Sequence, residues 1–590
     1  MQKAISFGKY KLIKIGSIVL VVGGGLAGTK RYLKKEDVRK SSSPPTSNEE
    51  DYIYLAPLVE GYDVDESEKR LRKSLNYLRF GRSNNPKLRN FSLNNLAKMK
   101  SLLDYHCQRI AMLCDYQISV ALARIKDVDL RLFRPPLNIH LRRGEIFTIL
   151  NDLYKTFPES SCASFFALMA FRTRERLKTV ESVLEEELRE SYLSKQGINL
   201  LCLQSLIRYA MISEEICSFM VDKGLMSCLL NLRDKFIDDF EINATIVKLL
   251  AQLSEHQFSQ YHFYSTGWIG ILAGWLRSDV PIELRLPAAK ILHNLDNKET
   301  ILGNHLYLLH PIYIGETFDY DVVFIHGLMG GVYRTWRQYT GSLTEGNQVT
   351  RCWPQDWLPQ DVPNLRIIAV DYYSSLFERK STCIPEARSL EERADLLINE
   401  LIKAGLGQRP IIFIGHSMGG LLIKQILVNC DKKDNPDRRL LLDNVKGLVF
   451  YSVPHRGSEA TKLSLNLQRI FVPSQEIREL IKDSPKLLNL HESFISLLAI
   501  KPIDLISFGE KEQVQVNIKG VKINTLLVPT ESSYLDIGQF HVLDTNHFLT
   551  CKPSDKSSPS YSIVKDFIQS IIDKTSTPPK SINTSNNLNI

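Results

Sequence analysis

An all-α segment followed by an α/β domain is the fold class this sequence predicts, and three observations predict it. From about residue 65 to 310, apolar residues recur at three- and four-residue spacings with few β-branched clusters, the periodicity of amphipathic helices. Near residue 319 the pattern changes to short apolar runs of strand length separated by helical stretches; alternating βα units of this kind build a largely parallel sheet covered on both faces. Within that second part, residues 410–420 read PIIFIGHSMGG: a buried strand, a glycine-flanked turn and an apolar helix in immediate succession.

Residues 1–37 are Lys-rich and then apolar. The uncharged run Ile15–Thr29 lies between Lys14 and Lys30. It is shorter than the roughly 20 residues a helix needs to cross the hydrocarbon core, but lysines at both ends can snorkel. No acidic residue precedes Glu36, so a membrane anchor or an organelle-targeting segment is expected. The same run holds a GxGxxG pattern in IVLVVGGGLAG (18–28). Its context fails for a dinucleotide site, which needs a second strand ending in Asp or Glu about 20 residues on. Residues 30–51 are instead charged and then loop-like.

Residues 38–64 read as a flexible linker, Ser/Pro-rich at its start, and 65–310 as the helical domain. Two stretches in it resemble each other: GLMSCLLNLRDK from Gly224 and GWIGILAGWLRSD from Gly267, each followed by a second helical pattern, at an offset of about 43 residues. That period suits an armadillo-like stack, with an irregular helical bundle as the alternative. Residues 311–573 form the α/β domain, with strands expected at 322–325, 365–370, 411–414, 448–452, 505–508 and 525–528, and helices at 390–404 and 419–428. The polar tail 574–590 is expected to be disordered.

The net charge of +8 is modest, and no long basic tract lies beyond the N-terminus. Nucleic acid is therefore excluded as a partner, whereas weak attraction to an anionic membrane surface is compatible. The ten cysteines form no CxxC and pair with no His at zinc-like spacing. They read as reduced, buried thiols, and no metal or organic cofactor is expected.

The chemistry lies in GxSxG. A tight strand-to-helix turn holds its central residue in strained backbone geometry, and side chains two positions either side would clash. Gly415 and Gly419 remove that clash, making Ser417 the candidate nucleophile of an α/β-hydrolase domain. The Met418 N–H at the helix start is one candidate donor to an oxyanion. The other is the Leu328 N–H, in VVFIHGLMGG (322–331), a strand and loop upstream of the elbow. A serine hydroxyl needs a base. In the order Ser, acid, His, the base belongs after the last strand: His547 in DTNHFLTCK, with His541 in reserve. His455 comes too early, and His491 lies in a helical pattern. The acid should end a strand, which favours Glu510; Glu531 and Asp544 are alternatives, and Asp504 lies at the wrong strand end.

HGLMGGVYRTW (326–336), WPQDWLP (353–359), GHSMGG (415–420), PHRGS (454–458), VPTESSYLDIG (528–538) and DTNHFLTCKP (544–553) resemble the family of serine active site-containing protein 1. More distantly they resemble the lipase and deacylase group that includes GPI inositol-deacylase. The resemblance spans residues 320–570 in its motifs, and the apolar N-terminus and helical middle share the layout. It implies a membrane-associated lipid hydrolase or acyltransferase acting on a phospholipid, with Glu510 as the acid. It further implies phosphatidylglycerol acyl-chain remodelling where endoplasmic reticulum and mitochondria meet, with consequences for cholesterol trafficking. A second class competes: a membrane-tethered scaffold whose helical repeats bind a protein partner, the hydrolase domain being inactive or secondary.

Overall fold

The computed structural model describes residues 11–15, 18–22 and 64–576, apart from 101, 139–143, 159–160, 181–194, 297–298, 340–350, 373, 375–387, 433, 458–483 and 519–520. Near the N-terminus, Lys11–Ile15 pairs antiparallel with Ile18–Val22. The apolar run thus begins as a strand, consistent with its β-branched IVLVV sequence. The glycines of GxGxxG and most of the expected anchor and linker lie outside the described residues. Among the described residues, no helix is long and apolar enough to cross a membrane.

The segment 64–296 is helical throughout its described elements. Both resembling stretches are helical hairpins. Leu225–Lys235 is followed by Phe240–Leu253, and Trp268–Trp275 by Ile282–Asp296. Each first helix is opened by a glycine at positive φ, Gly224 at 85° and Gly267 at 83°, where a side chain would be strained. Trp268 of the second unit donates its indole N–H to the Met226 carbonyl of the first at 3.1 Å. Two such units account for the internal similarity without by themselves making an armadillo superhelix.

The second domain is built on a seven-stranded sheet. In chain order its strands are β1 (Leu306–His310), β2 (Tyr320–Ile325), β3 (Leu365–Val370), β4 (Ile411–His416), β5 (Val445–Tyr451), β6 (Asp504–Glu510) and β7 (Gln539–Leu543). Their spatial order is β7-β6-β5-β4-β2-β3-β1, all parallel except β1. Nearly every residue of β2 to β6 is buried, yet alternate side chains go to opposite cores. Val323, Phe413 and Phe450 meet helices α1 (Leu390–Lys403), α2 (Met418–Lys432) and α3 (Pro485–Ile500). Phe324, Ile414 and Tyr451 meet Trp336, Trp353 and α4 (Pro559–Ser576) on the other face. Helix α1 starts with a reciprocal Ser389–Glu392 capping box.

Four expectations are corrected. Leu306–His310, expected within the helical domain, is an edge strand of the sheet paired antiparallel to β3. The strand expected at 525–528 is absent from the sheet. Residues 514–518 and 521–525 form a separate hairpin, Pro529 precedes the short helix Thr530–Ser533, and Gln539–Leu543 pairs with β6 instead. Cys162 is disulfide-bonded, whereas eight other cysteines are free and buried. Helix α4 also runs through Ser576, past the expected start of the disordered tail.

The two domains meet along helix Ile282–Asp296. Asn294 accepts from Leu302 N–H at 2.9 Å and donates to its carbonyl at 3.1 Å, and Lys290 donates to Gly303 O at 2.5 Å. These bonds tie the last described helix of the first domain to the chain leading into β1.

Candidate active site

Strand β4 runs fully buried up to Ser417, whose φ is +52°. A left-handed conformation in a non-glycine residue costs about 1–3 kcal/mol and persists only where its surroundings impose it. Here they do: Ser417 N–H donates to Tyr451 O at 2.9 Å, and Ser417 O accepts from Gly420 N–H at 3.0 Å. The flanking glycines are required sterically. A Cβ at Gly415 would lie 2.7 Å from Ile423 Cδ1, and one at Gly419 would lie 2.2 Å from Ile325 O and 2.4 Å from His326 O. Gly419→Ala is therefore expected to push the elbow off the upstream loop, lowering kcat on a soluble ester by about 100-fold, as steady-state kinetics would measure.

The loop after β2 lies directly against the elbow. A Cβ at Gly327 would be 2.8 Å from Ser417 Cβ and 2.9 Å from His416 Nδ1. Leu328 N–H has no hydrogen-bond acceptor among the described residues, and Met418 is the first residue of α2, where an amide lacks an intrahelical acceptor. The loop is braced from behind. His326 stacks on Tyr372 at 4.4 Å and 2°, and Tyr372 Oη donates to His326 O at 2.6 Å.

Ser417, His547 and Glu510 stand in one hydrogen-bonded line. Ser417 Oγ is 3.1 Å from His547 Nε2, and His547 Nδ1 is 2.6 Å from Glu510 Oε2. Glu510 ends β6 fully buried, and its other oxygen accepts from Val528 N–H at 3.0 Å. A carboxylate only accepts, so Nδ1 carries the ring hydrogen and Nε2 is left to accept from the serine. The alternatives fall elsewhere. Asp544 is exposed and pairs with Lys511, Asp504 pairs with Lys574 at the far end of β6, and Glu531 is exposed. His541 lies within β7 opposite Phe508. His455 is buried with neither ring nitrogen hydrogen-bonded, and His491 contacts Lys424. Among the described residues no His/Cys/Asp/Glu group could hold a metal ion.

One residue that motif reading passed over takes part. His416 Nε2 reaches the His547 carbonyl at 3.0 Å; the general pattern GxSxG leaves that position free, so nothing in the spacing marks it. Lys424, fully buried on α2, has His491 Nδ1 at 3.2 Å and the Phe494 ring beside it among the described residues. Burial pushes its pKa from 10.5 down to about 7. The unfolded chain thus holds a proton that the native state lacks between about pH 7 and 10.5, and stability gains from this group as pH rises through that window. Lys424→Met is expected to be more stable than wild type at pH 7 by up to about 5 kcal/mol, the difference shrinking as pH rises toward 10.5. Urea unfolding of both proteins across that range would measure it.

The model of the SERAC1 N-terminal domain matches residues 64–136, and that of the PGAP1-like alpha/beta domain matches residues 318–481. Protein SERAC1 of Bos taurus is 32% identical over 547 residues, covering 88% of this chain and 82% of that one. The chain belongs to the SERAC1 family. Protein SERAC1 of Homo sapiens is 30% identical over 527 residues, covering 84% and 79%. Among solved structures, Bacillus licheniformis lipase BlEst2 in its mature form is 14% identical, covering 44% of this chain and 98% of that one, with a TM-score of 0.30. In this SERAC1-family chain the PGAP1-like match begins just before β2 and takes in both the oxyanion-loop candidate Leu328 and Ser417. Glu510 and His547 lie beyond its end, so their place in the site comes from the fold.

Proposed function

We propose that this chain is a serine hydrolase of the lipase type, with Ser417 as nucleophile, His547 as general base and Glu510 as the acid that orients it. The observation that carries this reading is the continuous line from Glu510 Oε2 through His547 to Ser417 Oγ. His547 takes the serine proton as Oγ attacks an acyl carbonyl, and Leu328 N–H and Met418 N–H hold the resulting oxyanion. The imidazolium then protonates the leaving alkoxide. Water, or the hydroxyl of a lysolipid, releases the acyl group in a second round of the same steps. No cofactor enters.

A phospholipid is the substrate class we assign. Met329, beside Leu328, is 57% exposed, and Phe548, beside His547, is 52% exposed; an apolar pair on the two loops that border the serine suits an acyl chain better than a polar substrate. Phosphatidylglycerol, acyl-chain remodelling at endoplasmic reticulum–mitochondria contacts and a downstream effect on cholesterol trafficking are the finer assignments implied by the family resemblance. Attachment through the apolar N-terminal run would concentrate such a substrate, and the helical domain offers a surface for a protein partner. Lipidomics of null cells re-expressing wild type or Ser417→Ala tests the reading. Phosphatidylglycerol acyl composition should recover with wild type alone. Full recovery with Ser417→Ala would mean that the chain acts as a scaffold.

A further inference from the structure

His416 occupies the variable position of the elbow, immediately before the candidate nucleophile. It is buried, and it touches the two other parts of the site at once. On one side its Nδ1 faces Gly327 of the upstream loop so closely that a Cβ there would lie 2.9 Å away. On the other its Nε2 meets the main-chain carbonyl of His547 at 3.0 Å. A carbonyl can only accept, so Nε2 carries the hydrogen and His416 is the donor. The same carbonyl also accepts from Thr550 Oγ at 3.1 Å. His547 lies in a tight loop closed by Thr550 N–H to Asn546 O at 3.2 Å. Its imidazole, which must reach both Ser417 and Glu510, therefore hangs from a backbone point fixed by His416.

We propose that His416 is a positioning residue for the reaction: its Nε2–H pins the His547 loop to the elbow, so that nucleophile and base share one rigid frame. This rests on the reading of Ser417 as nucleophile and His547 as base. The arrangement is robust to pH. Burial, reinforced by the neighbouring His547, holds the His416 pKa down at about 3, so its ring stays neutral and its tautomer stays fixed throughout the working range. A neutral ring also adds no charge against the imidazolium that His547 becomes during acyl transfer.

Two substitutions separate the hydrogen bond from the ring's bulk. His416→Gln keeps an N–H donor near the Nε2 position, whereas His416→Phe keeps a flat ring and loses the donor. With p-nitrophenyl butyrate as substrate, His416→Phe should lower kcat on the order of 10–100-fold with KM within about twofold, and His416→Gln should retain most of kcat. Hydrogen exchange gives a readout independent of turnover: amides of residues 544–552 should exchange faster in His416→Phe and unchanged in His416→Gln. If His416→Phe does not fold, His416→Met is the donor-free variant to compare. Equal kcat and equal exchange in the donor-free variant and wild type would overturn the proposal. So would loss in His416→Gln with retention in His416→Phe, which would make packing the cause. A wild type that never reacts with a fluorophosphonate would sink the hydrolase reading instead, while the exchange comparison would still decide whether His416 pins the loop.

Discussion

Ser417→Ala is expected to abolish labelling by a fluorophosphonate probe and to lower ester hydrolysis by about four to six orders of magnitude. The probe reacts with a serine only where a base accepts its proton and donors hold the phosphoryl oxygen. In the proposed site the base is His547, whose Nε2 lies 3.1 Å from Oγ, and the donors are the amides of Leu328 and Met418. Ser417 is buried behind glycines, so the loss of one hydroxyl leaves the packing intact and the thermal midpoint near that of wild type. Glu510→Gln should cost about 10⁴ in kcat, because an amide facing Nδ1 can favour the wrong imidazole tautomer. Asp544→Ala, which removes only an exposed partner of Lys511, should be neutral. Labelling of Ser417→Ala at the wild-type level, or parity of Asp544→Ala with Glu510→Gln, would contradict the assignment.

The largest loss of stability is expected at Asp321→Ala. Asp321, the second residue of β2, is fully buried, and Arg366 beside it in register on β3 is 2% exposed. The guanidinium donates to both carboxylate oxygens, at 2.6 and 2.9 Å, and to Ala404 O at 2.8 Å. Removing the carboxylate leaves Arg366 buried with no counter-charge of that quality, Arg409 adding a second nearby cation 3.6 Å from Asp321. The cost should be about 3–5 kcal/mol, a large part of the ~5–15 kcal/mol that holds a typical domain together. Chemical denaturation would register it as a lower midpoint with an unchanged slope. Asp321→Leu combined with Arg366→Met should lose less than Asp321→Ala alone, because the penalty comes from the stranded charge rather than from the absence of a pair. A double variant less stable than the single one would reverse that ranking.

Much of the site was legible in the chain because its chemistry is local. Gly415, Ser417 and Gly419 sit within five residues between a strand and a helix; the clash that demands glycine at 415 arises within that turn, whereas the one at 419 is with Ile325 and His326 of the upstream strand. The upstream HGL was legible for a similar reason: it ends an apolar strand. Local pattern was therefore enough for the fold class, the elbow and the list of candidate bases and acids. It favoured Glu510 but left Glu531 and Asp544 open, since each follows an apolar run. Nor did it separate the edge strand Leu306–His310 from the helices before it, because an antiparallel edge strand needs no crossover helix to announce it.

Tertiary pairing separates the three carboxylates. Parallel alignment of β6 with β7 carries the end of β6 to the loop beyond β7, so Glu510 and His547, 37 residues apart, meet at 2.6 Å. Asp544, three residues from His547, turns outward to Lys511. Register, which depends on partners distant in sequence, brings the proposed acid to His547. It also gave His416 a role, because the carbonyl it holds lies 131 residues away, and a contact of that range leaves no periodicity in the chain.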